Sequence, residues 1–290
     1  MCLIALSYHN YPRYPLVVIA NRDEFYSRPT TLAAFWPEHR GILAGRDVAG
    51  GGAWLGCDRG GRFAAVTNIR DPRVRHPSAR SRGTLVSSFL MGRDTAADYL
   101  DGVHHERHRY NHFNLLVGDE TGLFYYTSVR DKRNKLAPGI YGLSNDVLNT
   151  PWPKVHKATQ RLARLLDADR PLELEQLFQL LVDTEIVPDH LLPDTGIGLE
   201  WERLLSPLFV CASGYGTRSS TVVVLDQDGQ LLFAERSFDA QGKEQQTLAY
   251  RYEIEKASYT LDAVEKSPEQ GWSLETSPGR KTRTLRNSRH

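Results

Sequence analysis

Cys2 directly follows the initiator Met1. Removal of Met1 leaves a residue that carries both a thiol and a free α-amine. Reference pKa values of about 8.5 and about 7.7–8.0 leave that amine partly neutral near neutral pH, able to take the thiol proton. A threonine nucleophile activated by its own amine works the same way. One residue then supplies nucleophile and base, as acyl transfer from an amide or thioester requires. A cysteine at position 2 is also a common accident, and a free cysteine is most often a small buried apolar side chain. Leu3-Ile4-Ala5-Leu6 follow at once. A strand that starts at the first residue fixes a terminus that otherwise frays.

Several other chemistries lack their residues. There is no Gly-x-x-x-x-Gly-Lys-Ser/Thr phosphate loop. Gly50-Gly-Gly-Ala-Trp-Leu-Gly56 has Leu55 where a dinucleotide site needs its third glycine. Gly142-Leu-Ser-Asn-Asp146 lacks one glycine of a nucleophile elbow, and Cys211-Ala-Ser-Gly-Tyr215 lacks both. Neither Cys-x-x-Cys nor His-Glu-x-x-His occurs. His104, His108 and His112 would share one helix face and could hold a metal. Asn111 to Val117 reads as the entry to a strand, however, so the histidines are expected on a solvated loop with no metal.

The positioning elements follow from periodicity. Cys2 to His9 and Pro15 to Ala20 read as strands, the second a continuous apolar run. Gly41 to Gly45, Gly52 to Gly56 and Arg62 to Thr67 are short strands between glycines. Residues 84–103 read as helical, with Asp94 placed to cap a second helix. Strands return at Phe113–Val117, Gly122–Thr127 and Ile140–Leu143. Val155, Ala158, Leu162 and Leu166, then Leu174, Leu177, Phe178 and Leu181, have helical spacing. Residues 187–200 read as a long loop. Thr221–Leu225 and Leu231–Ser237 flank a turn ending in Gly229, and Leu248–Ile254 is a last strand. Strands, then helices, then strands point to an α+β layered domain over residues 1–262. Residues 263–290 read as a polar basic tail, with six Lys/Arg against two Asp/Glu (6 − 2 = +4) over 266–290.

A net charge of +1 in 290 residues gives no field directed at nucleic acid or an anionic membrane. No run approaches the roughly 18 apolar residues of a membrane span. Three unpaired cysteines without a secretory leader point to a reducing, cytoplasmic setting. Cys57 and Cys211 are expected to be buried and inert.

Asn21-Arg22-Asp23-Glu24 follows the apolar strand. Ser27-Arg28-Pro29, Ala44-Gly45-Arg46-Asp47, Gly51-Gly-Ala-Trp-Leu-Gly56, Thr67-Asn68, Ser81-Arg82-Gly83, Phe113-Asn-Leu-Leu116, Gly142-Leu-Ser-Asn145, Pro151-Trp-Pro-Lys154, Tyr215 to Thr221 and Glu235-Arg-Ser-Phe238 come after it in order. This series resembles the NRDE family, the transport and Golgi organisation 2 family, from residue 1 to roughly 255. That family is similar to N-terminal-nucleophile hydrolases of the choloylglycine hydrolase and penicillin V acylase type. The resemblance therefore implies a four-layer αββα sandwich with the catalytic cysteine at the start of the first strand. It implies Cys2 as nucleophile, Asp23 as the carboxylate that orients the α-amine, Asn145 as side-chain oxyanion donor and Asn68 as the segment of the backbone donor. It also implies Arg218 as an arginine near the thiol, where a cation would lower the thiol pKa. Asn21, Arg22, Glu24, Arg46, Trp54, Arg82 and Trp152 lie in the matching segments and are candidate binding residues.

One spacing departs from the acylases, which separate their Arg and Asp by two residues. Arg22 and Asp23 are adjacent, and neighbours on a strand face opposite ways. Either Arg22 is structural or the segment bends. Phe35, Trp36, Trp54 and Trp152 line a pocket or fill the core, core being the commoner fate.

Two functions remain. One is a cysteine-dependent hydrolase or acyltransferase on a linear amide or thioester, acyl-CoA among them, requiring no cofactor. The other is a carrier that keeps the same cleft for haem or fatty acyl-CoA, with Cys2 or a histidine as an axial ligand to haem, although no haem motif is present. Either way the partner is a small molecule, an acyl compound or haem. A scaffold protein would explain the fold but not an apolar strand starting at Cys2. The sequence does not set the oligomeric state.

Overall fold

Side chains alternate between the faces of a strand, and in the first two strands both faces are apolar. In β1 (Cys2–Tyr11), Ile4 and Leu6 face one way and Leu3 and Ala5 the other. In β2 (Tyr14–Phe25), Leu16, Val18 and Ala20 oppose Val17 and Ile19. Strands buried on both faces need a layer on each side. The structure, a computed structural model that describes residues 2–73, 76–168 and 170–255, provides both. The expected tail, 263–290, lies outside the described residues.

Four strands follow: β3 (Thr30–Trp36), β4 (His39–Asp47), β5 (Leu55–Asp58) and β6 (Phe63–Asn68). Two helices come next, α1 (Gly83–Met91) and α2 (Ala96–Glu106), then β7 (Phe113–Asp119), β8 (Gly122–Thr127), β9 (Lys132–Lys135) and β10 (Gly139–Leu143). After α3 (Pro153–Asp167), α4 (Leu174–Gln179) and α5 (Leu199–Leu204), the chain closes with β11 (Cys211–Ala212), β12 (Tyr215–Leu225), β13 (Gln230–Phe238) and β14 (Glu244–Glu253).

One antiparallel sheet runs β10-β1-β2-β12-β13-β14, with β11 beside β12. The other runs β3 to β9 in sequence order. Ile4, Val18 and Phe233 from the first sheet meet Leu43, Phe63 and Leu116 from the second. The outer face of the first sheet packs against Val155, Leu162 and Phe178 of α3 and α4. The outer face of the second packs against Val86, Phe89 and Leu100 of α1 and α2. The order of layers is therefore helix, sheet, sheet, helix, the αββα sandwich implied by the resemblance.

Several elements differ from the sequence reading. β2 does not stop at Ala20 but carries Asn21 to Glu24 as strand, because Ser220, Ser219, Thr217 and Gly216 of β12 pair with them. β3 and β9 were not foreseen. Thr95, not Asp94, caps α2, its hydroxyl accepting from the Asp98 amide at 3.2 Å. The hairpin of β12 and β13 pairs Leu225 with Leu231 across a turn whose Gly229 has φ +79°. Among the described residues, no helix is long and apolar enough to cross a membrane, and no group of three His, Cys, Asp or Glu could hold a metal.

Candidate functional site

Register decides which polar groups meet. Cys2 pairs directly with Arg22 across β1 and β2. Both lie in phase with Ile4 and Ala20, so both face the layer between the sheets. They open onto a cavity of about 430 Å³ whose lining also includes Glu24, Trp54, Asn68 and Arg82. Arg22 is only 6% exposed. Its guanidinium carbon stands 4.4 Å over the Trp54 ring. Among the described residues the guanidinium makes no salt bridge and no hydrogen bond. Trp54 lies close on Gly45: a Cβ there would sit 2.3 Å from the ring. At the rim, Arg28 donates to Asp47 at 2.9 Å and stands 3.9 Å from Glu24.

Asp23 points the other way, toward the helices. Its Oδ1 accepts from the Thr217 hydroxyl at 2.8 Å, and its carbonyl from the Tyr215 hydroxyl at 3.0 Å. Burial raises its pKa, and Lys154 is the chief group opposing this. Lys154 is itself buried, with Nζ donating to the Leu205 carbonyl at 2.8 Å. Burial pulls its pKa down to about 8, against the pull of Asp23. Beside them, buried Arg70 pairs with buried Glu202 at 2.6 Å. Glu202 in turn accepts from the Thr195 amide at 2.8 Å and hydroxyl at 2.6 Å.

The remaining expected residues divide. Ile4 pairs with Leu143 across β1 and β10, and that register, continued by two residues, brings Asn145 alongside Cys2. The Asn145 amide donates to the Asn68 carbonyl at 2.9 Å, and Ser144 Oγ donates to the Cys2 carbonyl at 3.1 Å. Asn68 lines the cavity and buried Asn145 braces it from behind. Arg82 lines the cavity and donates to the His112 carbonyl at 3.1 Å. Asn21 does not face the thiol. Its amide bonds the carbonyls of Leu181 and Leu208, tying β2 to the helical segment. Arg46 pairs with Glu38 over Trp36, away from the cavity. Trp152 lies in the core beside α3, with Arg70 5.1 Å over its ring.

Arg218 is not placed beside the thiol. β12 shifts register between Thr217 and Ser219, and the guanidinium reaches the carbonyls of Phe25 at 2.9 Å, Tyr26 at 3.2 Å and Arg28 at 2.9 Å. It clamps the turn that leaves β2. Burial, with a smaller push from Asp23, raises the Cys2 thiol above its ordinary value, and the arginine that opposes this is Arg22. The expected lowering by Arg218 is thus reversed. Cys57 is buried as expected, but Cys211 is exposed, because it sits on a two-residue strand at the sheet margin.

Lys154, Arg70, Glu202 and Glu235 were not among the expected site residues. Lys154 had a readable signal: it occupies the first turn of α3, where a cation opposes the helix dipole. A side chain kept there has another partner.

A family model described as Transport and Golgi organisation 2 matches residues 1–240. The chain is 38% identical over 257 residues to the Transport and Golgi organization protein 2 homolog of Bos taurus, across 82% of this chain and 93% of that protein. The Homo sapiens homolog is 37% identical with the same coverage. Among solved structures, a conjugated bile acid hydrolase from Clostridium perfringens is 10% identical, with a TM-score of 0.47 over 90% of this chain and 100% of that one. With a model match over most of its length and relatives this similar over nearly their whole length, the chain belongs to the Transport and Golgi organisation 2 family.

Proposed function

We propose that this protein performs cysteine-dependent acyl transfer of the N-terminal-nucleophile kind on a linear amide or thioester that bears a negative charge. The observation that carries the reading is the pairing of Cys2 with an almost buried, hydrogen-bond-free Arg22 at the wall of one cavity. A guanidinium has five N–H donors and no acceptors. Without protein acceptors it is suited to an anionic group on the ligand, and this orients the acyl carbon toward the thiol.

With Met1 removed, the Cys2 α-amine takes the thiol proton as sulfur attacks the carbonyl carbon. The Asn68 segment, braced by Asn145, stabilises the oxyanion. Collapse breaks the bond to the leaving amine or thiol, which receives the proton back from the ammonium group. Water then cleaves the acyl-cysteine thioester, releasing the acid and restoring the thiol. Because burial holds the thiol above its ordinary pKa, proton removal must accompany attack rather than precede it.

Intact mass after exposure to an activated acyl thioester tests this. One acyl adduct on a chain beginning at Cys2 is expected, absent in Cys2→Ala. A chain that retains Met1 and takes no adduct rejects the reading.

A second reading, a carrier for haem or fatty acyl-CoA in the same cavity, draws on two observations. The thiol is not predisposed to ionise, and Arg218 is committed to backbone carbonyls. Equal ligand affinity in wild type and Cys2→Ala, with no adduct in either, selects it.

A further inference from the structure

The layer between the sheets is apolar except for one polar row. Across the first sheet, Cys2 pairs with Arg22, and Arg22 with Ser219. Glu235 pairs with Thr221, two residues beyond Ser219 on β12, so it is the diagonal neighbour of Ser219 on that face. Glu235 is 2% exposed. Its Oε1 accepts from the Ala33 amide at 2.7 Å. Its Oε2 and the Ser219 hydroxyl are buried and complete no hydrogen bond. Buried polar atoms left in that state are costly and rare.

Gly45 shows where Oε2 points. A Cβ built there would lie 3.2 Å from Oε2 and 2.3 Å from the Trp54 ring. The carboxylate therefore borders the aromatic ring on which the Arg22 guanidinium rests. Cys2, Arg22, Trp54 and Glu235 form a continuous sequence from thiol to carboxylate.

We propose that Glu235 is a positioning residue for the Cys2 site that acts through Arg22. The carboxylate draws the guanidinium onto Trp54 and so sets how much of its positive charge reaches the thiol and a bound acyl group. The proposal deepens the acyl-transfer reading and rests on it for its functional meaning. The groups facing Glu235 are Arg22 from β2, Ser219 from β12, the Ala33 amide from β3 and Tyr250 from β14, whose hydroxyl donates to the Ala33 carbonyl at 2.9 Å. Burial raises the Glu235 carboxyl to about 7, with the Ala33 amide and the charge of Arg22 opposing it. Its hold on Arg22 therefore strengthens as pH rises through neutrality.

The test is the rate at which iodoacetamide alkylates Cys2, followed against pH by peptide mass. The proteins are wild type, Glu235→Gln, Arg22→Met and the double variant. Glu235→Gln should speed alkylation at neutral pH by about threefold or more, equivalent to half a pKa unit at the thiol. That gain should vanish in the Arg22→Met background. No gain, or an equal gain without Arg22, overturns the proposal. Should Glu235→Gln fail to fold, carbon NMR of the Glu235 carboxyl replaces it. Its titration midpoint should rise in Arg22→Met, and an unmoved midpoint is equally fatal. Alkylation needs no substrate. A protein that never transfers an acyl group yet shows this coupling rejects catalysis and leaves the role of Glu235 intact.

Discussion

Arg22 and Asp23 are neighbours in the chain, yet they enter two environments that handle buried charge differently. On the helix side, Asp23, Lys154, Arg70 and Glu202 form a balanced set of two acids and two bases, each with a bond to protein. On the side between the sheets, the Arg22 guanidinium makes no hydrogen bond among the described residues. Glu235 leaves one oxygen unbonded, and a cavity of about 430 Å³ adjoins them. Buried charges that bond to one another and to backbone hold structure, whereas a charged group bordering a cleft is a candidate for ligand contact. Strand alternation makes the division, by sending consecutive residues to opposite faces.

The difference can be broken most forcibly from the helix side. Lys154→Met removes the main cation opposing Asp23 and leaves the Leu205 carbonyl without its donor. A loss of about 3 kcal/mol or more is expected, the usual cost of breaking a buried pair from one side. Arg22→Met, on the cavity side, should change stability by no more than about 1 kcal/mol, because no protein bond is lost and a methionine still covers Trp54. The same change should weaken a fatty acyl-CoA probe about tenfold or more. Urea unfolding and equilibrium binding measure both. Equal stability losses in the two variants would mean that the two sides do not differ in kind.

A pH series sharpens the contrast. The Glu235 carboxyl is held at about 7 in the folded chain, above the ordinary value of about 4.3. As pH rises from the lower value to the upper, the unfolded chain loses this proton first. Stability from this group is therefore full below about pH 4.3 and declines as pH passes through about 7. Glu235→Gln has no proton to lose. Its stability relative to wild type should improve between pH 5 and 8, with a ceiling of about 3 kcal/mol. Denaturant midpoints at the two pH values decide the point, and a constant offset would show that the carboxyl is not buried in its neutral form.

Much of the sandwich was legible because a strand buried on both faces reads as a continuous apolar run, and a hairpin announces its glycine. The extension of β2 was not. Asn21 to Glu24 look like the end of a strand, and what keeps them in the sheet is β12, some two hundred residues later. Of the candidate residues, Cys2, Asp23 and Asn145 gather at one end of the first sheet, and Asn68 of the second sheet meets them there through its carbonyl. The directions of the side chains were not legible. A one-residue register shift turned Arg218 to the carbonyls at the end of β2, and the arginine that stands beside the thiol is Arg22 instead. Glu235 was visible only as part of a motif, since nothing local reveals that its strand lies two places from Arg22.

Asn145 sits where the two sides meet. Its side chain donates to the Asn68 carbonyl at the cavity, and its own carbonyl accepts from the Arg70 amide at 2.8 Å. Asn145→Ala deletes the hydrogen bond to the Asn68 carbonyl and the longer one that Asn145 Oδ1 accepts from Ser144 Oγ at 3.4 Å, a loss of about 1–2 kcal/mol. The amide has a second N–H. If that hydrogen meets the acyl oxygen in the transition state, turnover should fall about 100-fold while ligand affinity stays within a few-fold. Asn145→Asp keeps the shape but removes both donors, so it should reproduce the turnover loss even where packing is restored. The measurements are single-turnover acylation of Cys2 and thermal unfolding of the same samples. Lower stability with unchanged acylation assigns Asn145 to the structural side of β2. Parallel loss of acylation in both variants assigns it to the cavity.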